Sequence, residues 1–187
     1  METIPALDEA LLDQLALVRR ITRAQLSVAS PCPGWTVRHV INHSIGVTQK
    51  FTRFAEGDDR PSAPTGDLIG DDHVQALECV VELARSAWAS VDTTRQCELS
   101  FGSFSADLAA GINLFDALAH GWDVAAAVGL DWDCAEDLWM CALDAARAVI
   151  GDQRDLAHYA NEVPIPPEAS SRERLLAFLG RGASRVG

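Results

Sequence analysis

The chain is expected to fold as an all-α protein, a four-helix bundle with additions, and three observations predict it. Apolar residues recur at three- and four-residue spacing through several long segments, the signature of helices with one buried face. Stretches rich in Gly, Pro, Asp and Ser separate those segments. Apolar residues make up 48 % of 187 residues, enough to bury a substantial core. No internal repeat is visible. A single domain is expected over residues 1–187, with a core of about 5–152 and a tail of 153–187.

The first helix should begin near Pro5, a residue suited to a first helical turn, and run to about Arg23 or a little beyond. Leu7, Leu11, Leu15 and Val18 form its inward face. Ser30-Pro31-Cys32-Pro33-Gly34 then breaks the chain, because two prolines and a glycine cannot extend a regular helix. Thr36 is a good N-cap for a second helix, which places Val37, Val40, Ile41, Ser44, Val47, Phe51 and Phe54 on one stripe. Gly57 ends it. The polar loop from Gly57 to Gly70 is long for neighbouring bundle helices and suits a crossover, which would let the second and third helices run parallel.

Asp71-Asp72 should open the third helix, since carboxylates suit a helix amino terminus, with Val74, Leu77, Val81, Ala84 and Trp88 inward. Residues 90–103 read as a connection in which Cys97 to Phe101 can be briefly extended. The fourth helix spans about Ser105 to Val128, with Leu108, Ile112, Phe115, Ala119 and Trp122 near its core side and Gly129 as a stop. A fifth is expected over Cys134 to Ile150, an extended segment at 163–167, and a short last helix from Arg172 to Leu179.

Charge and composition exclude several function classes. The net charge is −12 with no Lys/Arg cluster, which argues against nucleic acid or an anionic membrane surface as the main partner. Charged residues interrupt the first apolar region, so neither a signal peptide nor a membrane span is expected. Five cysteines without metal-knuckle spacing fit a reduced, cytoplasmic protein better than a disulfide framework.

The candidate chemistry centres on Asp116 and His120 in the apolar fourth helix. Residues four apart lie one above the other on the same helical face, so the carboxylate and imidazole point the same way. By spacing alone such a pair favours a structural role, a surface ion pair or a buried pair that positions two helices. Two features favour a metal instead. A carboxylate in so apolar a helix needs compensation, which a divalent cation supplies. His43, midway along another amphipathic helix, can complete a three-ligand face. Two imidazoles and one carboxylate suit Zn2+, with Ni2+ or Fe2+ as alternatives, and leave positions open to water, a thiolate or a substrate oxygen.

The other candidates have plainer readings beside the functional one. His39 lies one turn before His43 and is the candidate auxiliary base, with a fourth metal ligand as an alternative, or else a helix-start histidine near the site but not on the metal. His73 and His158 are expected to face solvent. Cys32 precedes a helix amino terminus but is read as a packed turn cysteine. Trp35 and Trp122 can line a pocket or pack a core, and Asp123 can orient His43 or His120 or serve as an ordinary ion-pair residue.

Pro31-Cys32-Pro33-Gly34-Trp35-Thr36-Val37-Arg38, followed by Asn42-His43, resembles the start of the second helix in the DinB/YfiT-like superfamily. More narrowly it resembles the metal-binding domain of mycothiol-dependent maleylpyruvate isomerase and its stand-alone relatives. Asp116-Ala117-Leu118-Ala119-His120-Gly121-Trp122-Asp123 matches the second half of that signature, and Glu162 to Pro166 with Leu175 to Arg181 is similar to the relatives' tails.

The resemblance implies an up-down-down-up bundle and a zinc or nickel ion held by His43, Asp116 and His120. It also implies a thiol-dependent transferase or isomerase in which mycothiol or a similar small thiol attacks a small electrophile. From charge and composition no nucleic-acid or membrane partner is expected, and the protein is expected to be a monomer or homodimer. The non-catalytic alternative, a metal or ligand binder in stress response or regulation, stays open, as does metal-assisted hydrolysis. The isomerase has glutamate at the position of Asp116 and carries a further domain, so maleylpyruvate is not the expected substrate.

Overall fold

The computed structural model describes residues 1–151, 154 and 160–182. Its elements are helices α1 (Thr3–Val18), α2 (Val37–Glu56) and α3 (His73–Trp88), a hairpin of β1 (Gln96–Leu99) and β2 (Gly102–Ser105), and helices α4 (Ala106–Val128), α5 (Glu136–Ile150) and α6 (Ser171–Phe178). The expected helices are present, with ends that move by a few residues. The first is the shortest against expectation: it stops at Val18, and Arg23–Ser27 forms a separate 3-10 turn.

Four helices form the bundle in the order α1, α4, α2, α3 around its axis, because α1 packs on α4 and α3, and α2 packs on α3 and α4. Side-chain pairs fix the directions. Asp8 meets Arg85 and Arg19 meets Glu78, so α1 and α3 are antiparallel. Arg38 bonds Asp67 and Gly70 just ahead of α3, while Phe54 packs on Trp88 at the other end with centroids 6.0 Å apart, so α2 and α3 are parallel. Thr48 meets Asn113 and His43 meets Asp116, which sets α4 antiparallel to α2. The result is the up-down-down-up bundle, and the loop from Gly57 to Gly70 is its crossover.

The caps follow local chemistry. Asp72 accepts the Val74 and Gln75 N–H groups at 3.0 Å and starts α3. The Ser105 hydroxyl starts α4, and Gly129 ends it at φ +67°, a left-handed conformation that glycine adopts without a Cβ clash. α5 and α6 lie outside the bundle, α5 on α4 and α1, and α6 on α5. At Gly121, a Cβ would come within 2.4 Å of the Trp132 ring, so glycine lets the α4–α5 connection press onto the helix. None of the helices searched among the described residues is long and apolar enough to cross a membrane.

Two details differ from the sequence reading. The expected extended stretch at Cys97 is one strand of a hairpin whose partner, β2, carries too short an apolar pattern to announce itself. His73, expected in solvent, is 6 % exposed, and its Nε2 donates to the Ile21 carbonyl at 2.9 Å. As the first residue of α3 it faces the turn after α1, where that carbonyl has left its helix. His158 lies outside the described residues.

Candidate metal centre

One end of the bundle collects the sequence-predicted residues. His43 comes from the first half of α2, and Asp116 and His120 from consecutive turns of α4. His43 Nε2 lies 3.2 Å from Asp116 Oδ1, and His120 Nε2 lies 3.6 Å from the same oxygen. One ligand atom from each residue falls within 4.8 Å of the others. With metal–ligand bonds of roughly 2.1 Å, the edge of a tetrahedral site is about 3.4 Å. The two carboxylate–imidazole distances bracket that edge, and the two imidazole donors lie within 4.8 Å of each other, so the group is close enough for one divalent ion to draw together.

The three side chains open on a cleft of about 450 Å3, lined also by Cys32, Pro33, Trp35, Phe115, Ala119, Leu179 and Arg181. Trp35 forms a wall, its ring centroid 5.2 Å from that of His43 and 6.1 Å from that of His120. The turn that supplies Trp35 is closed by Ser30 N–H to the Trp35 carbonyl and Trp35 N–H to the Cys32 carbonyl, with Gly34 at φ +78°. The prolines that break the helix therefore also hold Cys32 and Trp35 over the bundle end. Trp122 lines a neighbouring cavity of about 500 Å3, on the other side of Cys32 and Arg181.

A second set of contacts lies behind His120. Its Nδ1 donates to Asp123 Oδ2 at 2.9 Å, which leaves the Nε2 lone pair for a cation. Asp123 is 0 % exposed and grips the Arg181 guanidinium through Nε at 3.0 Å and Nη2 at 2.7 Å. The Cys32 thiol donates to the same carboxylate at 3.2 Å. Asp123 thus combines both roles the sequence offered, orienting His120 and pairing with a cation.

The electrostatics agree with the geometry. Burial lowers the His43 pKa, but the charge and hydrogen bond of Asp116 outweigh it and the net shift is upward. Burial raises Asp116, and the charges of His120 and His43 turn it downward. Asp123 behaves likewise: hydrogen bonds from His120 and Arg181 overcome burial and hold it well below the usual carboxylate range. Burial, then the charge of Asp123, pushes the Cys32 thiol up to about 12, so it stays protonated. A packed, hydrogen-bonded cysteine describes it well, although it stands in the cleft wall and not merely in a turn.

The structure does not bring His39 into this group. Its exposed ring folds back on the helix start, where Nδ1 accepts the Thr36 N–H at 3.1 Å. As the third residue of α2 it is used to satisfy a backbone donor that the helix leaves unpaired. Sequence reasoning gave Arg181 no role. Gly180, at φ +82°, ends α6 in a Schellman turn, with Gly180 N–H on the Ala177 carbonyl and Arg181 N–H on the Leu176 carbonyl. That turn sends the arginine back to α4. Glycine following a short helix, with arginine next, is the signal that points to it.

A bundle that gathers two imidazoles and one carboxylate at an open end defines the class: an all-α, DinB-like helical protein with a candidate metal centre. The chain belongs to the mycothiol maleylpyruvate isomerase N-terminal domain family, whose model matches residues 7–125. The match contains His43, Asp116, His120 and Asp123, and stops short of Arg181. The chain is also 32 % identical over 168 residues to the uncharacterized proteins MT0763 and Rv0738 from two strains of Mycobacterium tuberculosis, covering 89 % of this chain and 90 % of each relative. No solved structure matches the chain significantly.

Proposed function

We propose that the protein is a divalent-metal-dependent thiol transferase or isomerase, in which His43, Asp116 and His120 hold the ion and a mycothiol-type thiol reacts with a small electrophile. The observation that carries this reading is the donor set itself: separations of 3.2 and 3.6 Å around one carboxylate oxygen, open on one side to a cleft of about 450 Å3. The family supports the thiol, since it is described by the mycothiol-dependent isomerase.

Zn2+ is the favoured ion, with Ni2+ or Fe2+ as alternatives, and when bound it would lower the pKa of a thiol on its open side. The chain's own residues do the rest. Asp123 keeps the proton on His120 Nδ1 and the donor pair at Nε2. Arg181 neutralises Asp123 and lines the cleft beside the His120 ring. Trp35, Phe115 and Leu179 line the cleft and offer apolar surface to the electrophile. The Cys32 thiol, pushed up to about 12, does not compete as a nucleophile.

The test combines metal analysis with a conjugation assay. Purified protein is expected to carry about one divalent ion per chain, and His43→Ala and His120→Ala should each remove it. Conjugation of mycothiol with a panel of electrophiles should require the metal-loaded protein. If both variants keep the wild-type metal content, the ligand assignment is wrong. Turnover that needs the metal would exclude a purely binding role, whereas silence across the panel would leave that role, and metal-assisted hydrolysis, open.

A further inference from the structure

A second cavity, of about 500 Å3, adjoins the metal-side cleft, and Cys32, Pro33, Leu179 and Arg181 line both. The ring of His120 stands at the join. Its Nε2 lies 3.6 Å from Asp116 Oδ1 in the first cavity. Its Nδ1 lies 4.0 Å from the Cys32 thiol and 3.5 Å from Arg181 Nη2, two side chains that border the second. A group held in the second cavity is therefore separated from the proposed metal by little more than one side chain. Each cavity alone has the size of a small-molecule site, roughly 300–1,000 Å3.

α4 builds one wall of the second cavity. Trp122 and Ala126 are four residues apart, as are Asp123 and Ala127, so each pair shares a face, and the small alanines leave space beside the indole. The turn from Ala29 to Pro33 and the glycines Gly180 and Gly182 supply the other walls. The polar side chains here are already committed. Asp123 takes the Arg181 guanidinium, the His120 N–H and the Cys32 thiol. Ser30 Oγ donates to the Trp35 carbonyl at 3.1 Å and accepts the Cys32 N–H at 3.2 Å. A hydroxyl-rich group, such as the sugar head of a mycothiol-type thiol, would lose its water there and gain few partners. A flat apolar group would gain contact with the indole. We infer that the second cavity seats the planar, apolar body of the electrophile, so that the substrate class is an aryl-bearing or similarly conjugated molecule. Its reactive end passes Cys32 and Leu179 to the metal side. The word electrophile rests on the thiol-transfer reading, but the preference of the cavity for an aromatic over a sugar does not require the metal.

The test is an NMR titration of the full-length, metal-free protein, labelled with 15N, using naphthalene-2-methanol as the aromatic probe and methyl glucoside as the polar one. The aromatic probe should give saturable shifts at the backbone amides of Ala126, Ala127 and Gly180, with a Kd of about 1 mM or tighter. The glucoside should give none. Ala127→Leu, which fills the cavity, should weaken the aromatic probe about tenfold. Trp122→Leu, which removes the indole, should weaken it as well and serves if the first variant does not fold. The inference is overturned by the absence of saturable shifts, by shifts confined to Trp35 and Phe115 in the first cleft, or by glucoside binding the second cavity as tightly as the aromatic. The metal assignment fails on a different result, unchanged metal content in His43→Ala and His120→Ala, so the two failures are told apart.

Discussion

Asp116 and Asp123 stand seven residues apart on α4, nearly two turns and on almost the same face, yet their surroundings are opposite. Asp116 opens to the cleft and meets two imidazoles, from α2 and from its own helix. Asp123 is sealed behind them and meets a guanidinium, an imidazole N–H and a thiol. Cys32, His120 and Asp123 also bring ligand atoms within 4.8 Å of one another, so proximity alone would nominate a second metal group. The difference is that Asp123 already has its cation in Arg181. A carboxylate whose charge is neutralised within the chain is an orienting group, and one whose contacts are imidazoles, with Arg181 only a weaker and more distant charge, is where an external cation gains most.

The comparison breaks most visibly if Arg181 is removed. Arg181→Met leaves Asp123 as a buried, unpaired charge, and the expected loss is about 3–5 kcal/mol of stability by urea denaturation. The pH dependence sharpens it. With a depressed folded-state pKa, Asp123 contributes stability that is fully present above the ordinary carboxylate value and is lost as pH falls through the depressed one. Arg181→Met should move that loss upward in pH, and Arg181→Met/Asp123→Asn should recover part of the stability. If Arg181→Met is neutral at pH 7, the two carboxylates are not the contrasting pair described above.

A smaller effect is expected at Cys32. Cys32→Ala removes one hydrogen bond to Asp123, which Arg181 and His120 still satisfy, so the cost should be about 1 kcal/mol. With its pKa pushed up to about 12, Cys32 should alkylate more slowly at pH 8 than exposed Cys79, as peptide mapping after iodoacetamide would reveal. Equal labelling would mean that the Asp123 side of the cleft is open to solvent and thiolate-forming.

The same contrast explains what could be read from the chain beforehand. His43, Asp116 and His120 lie on helices, where a period of 3.6 residues converts spacing into direction, and two such helices packed in a bundle must meet. The crossover loop, the Thr36 cap, the acidic start at Asp72 and the Gly129 stop were legible for the same local reasons. Arg181 follows α6, and its aim depends on the left-handed turn at Gly180 and on where α6 docks, neither of which has a period. His73 was misplaced in the same way: it sits at a helix entrance, where its partner is the carbonyl of Ile21 in the turn after α1. Cys32 was read correctly as a packed turn cysteine, but its partner Asp123, on a distant helix, could not be read from spacing.

His39 gives the smallest effect and the finest discrimination, because it lies one turn from a proposed ligand and differs from it only in where its ring is committed. Nδ1 of His39 accepts the Thr36 N–H and lies 3.0 Å from the Thr36 hydroxyl, so the ring completes the start of α2. His39→Ala should cost about 0.5–1 kcal/mol, at the lower end of capping effects. His39→Gln, a residue type common at this position of a capping box, should restore part of it. Neither should change metal affinity, in contrast to His43→Ala. A base acting in the cleft would give the reverse pattern, with turnover lost in both variants and stability almost unchanged. That result would require the His39 ring to leave Thr36 and swing toward the cleft, trading a helix cap for a catalytic role.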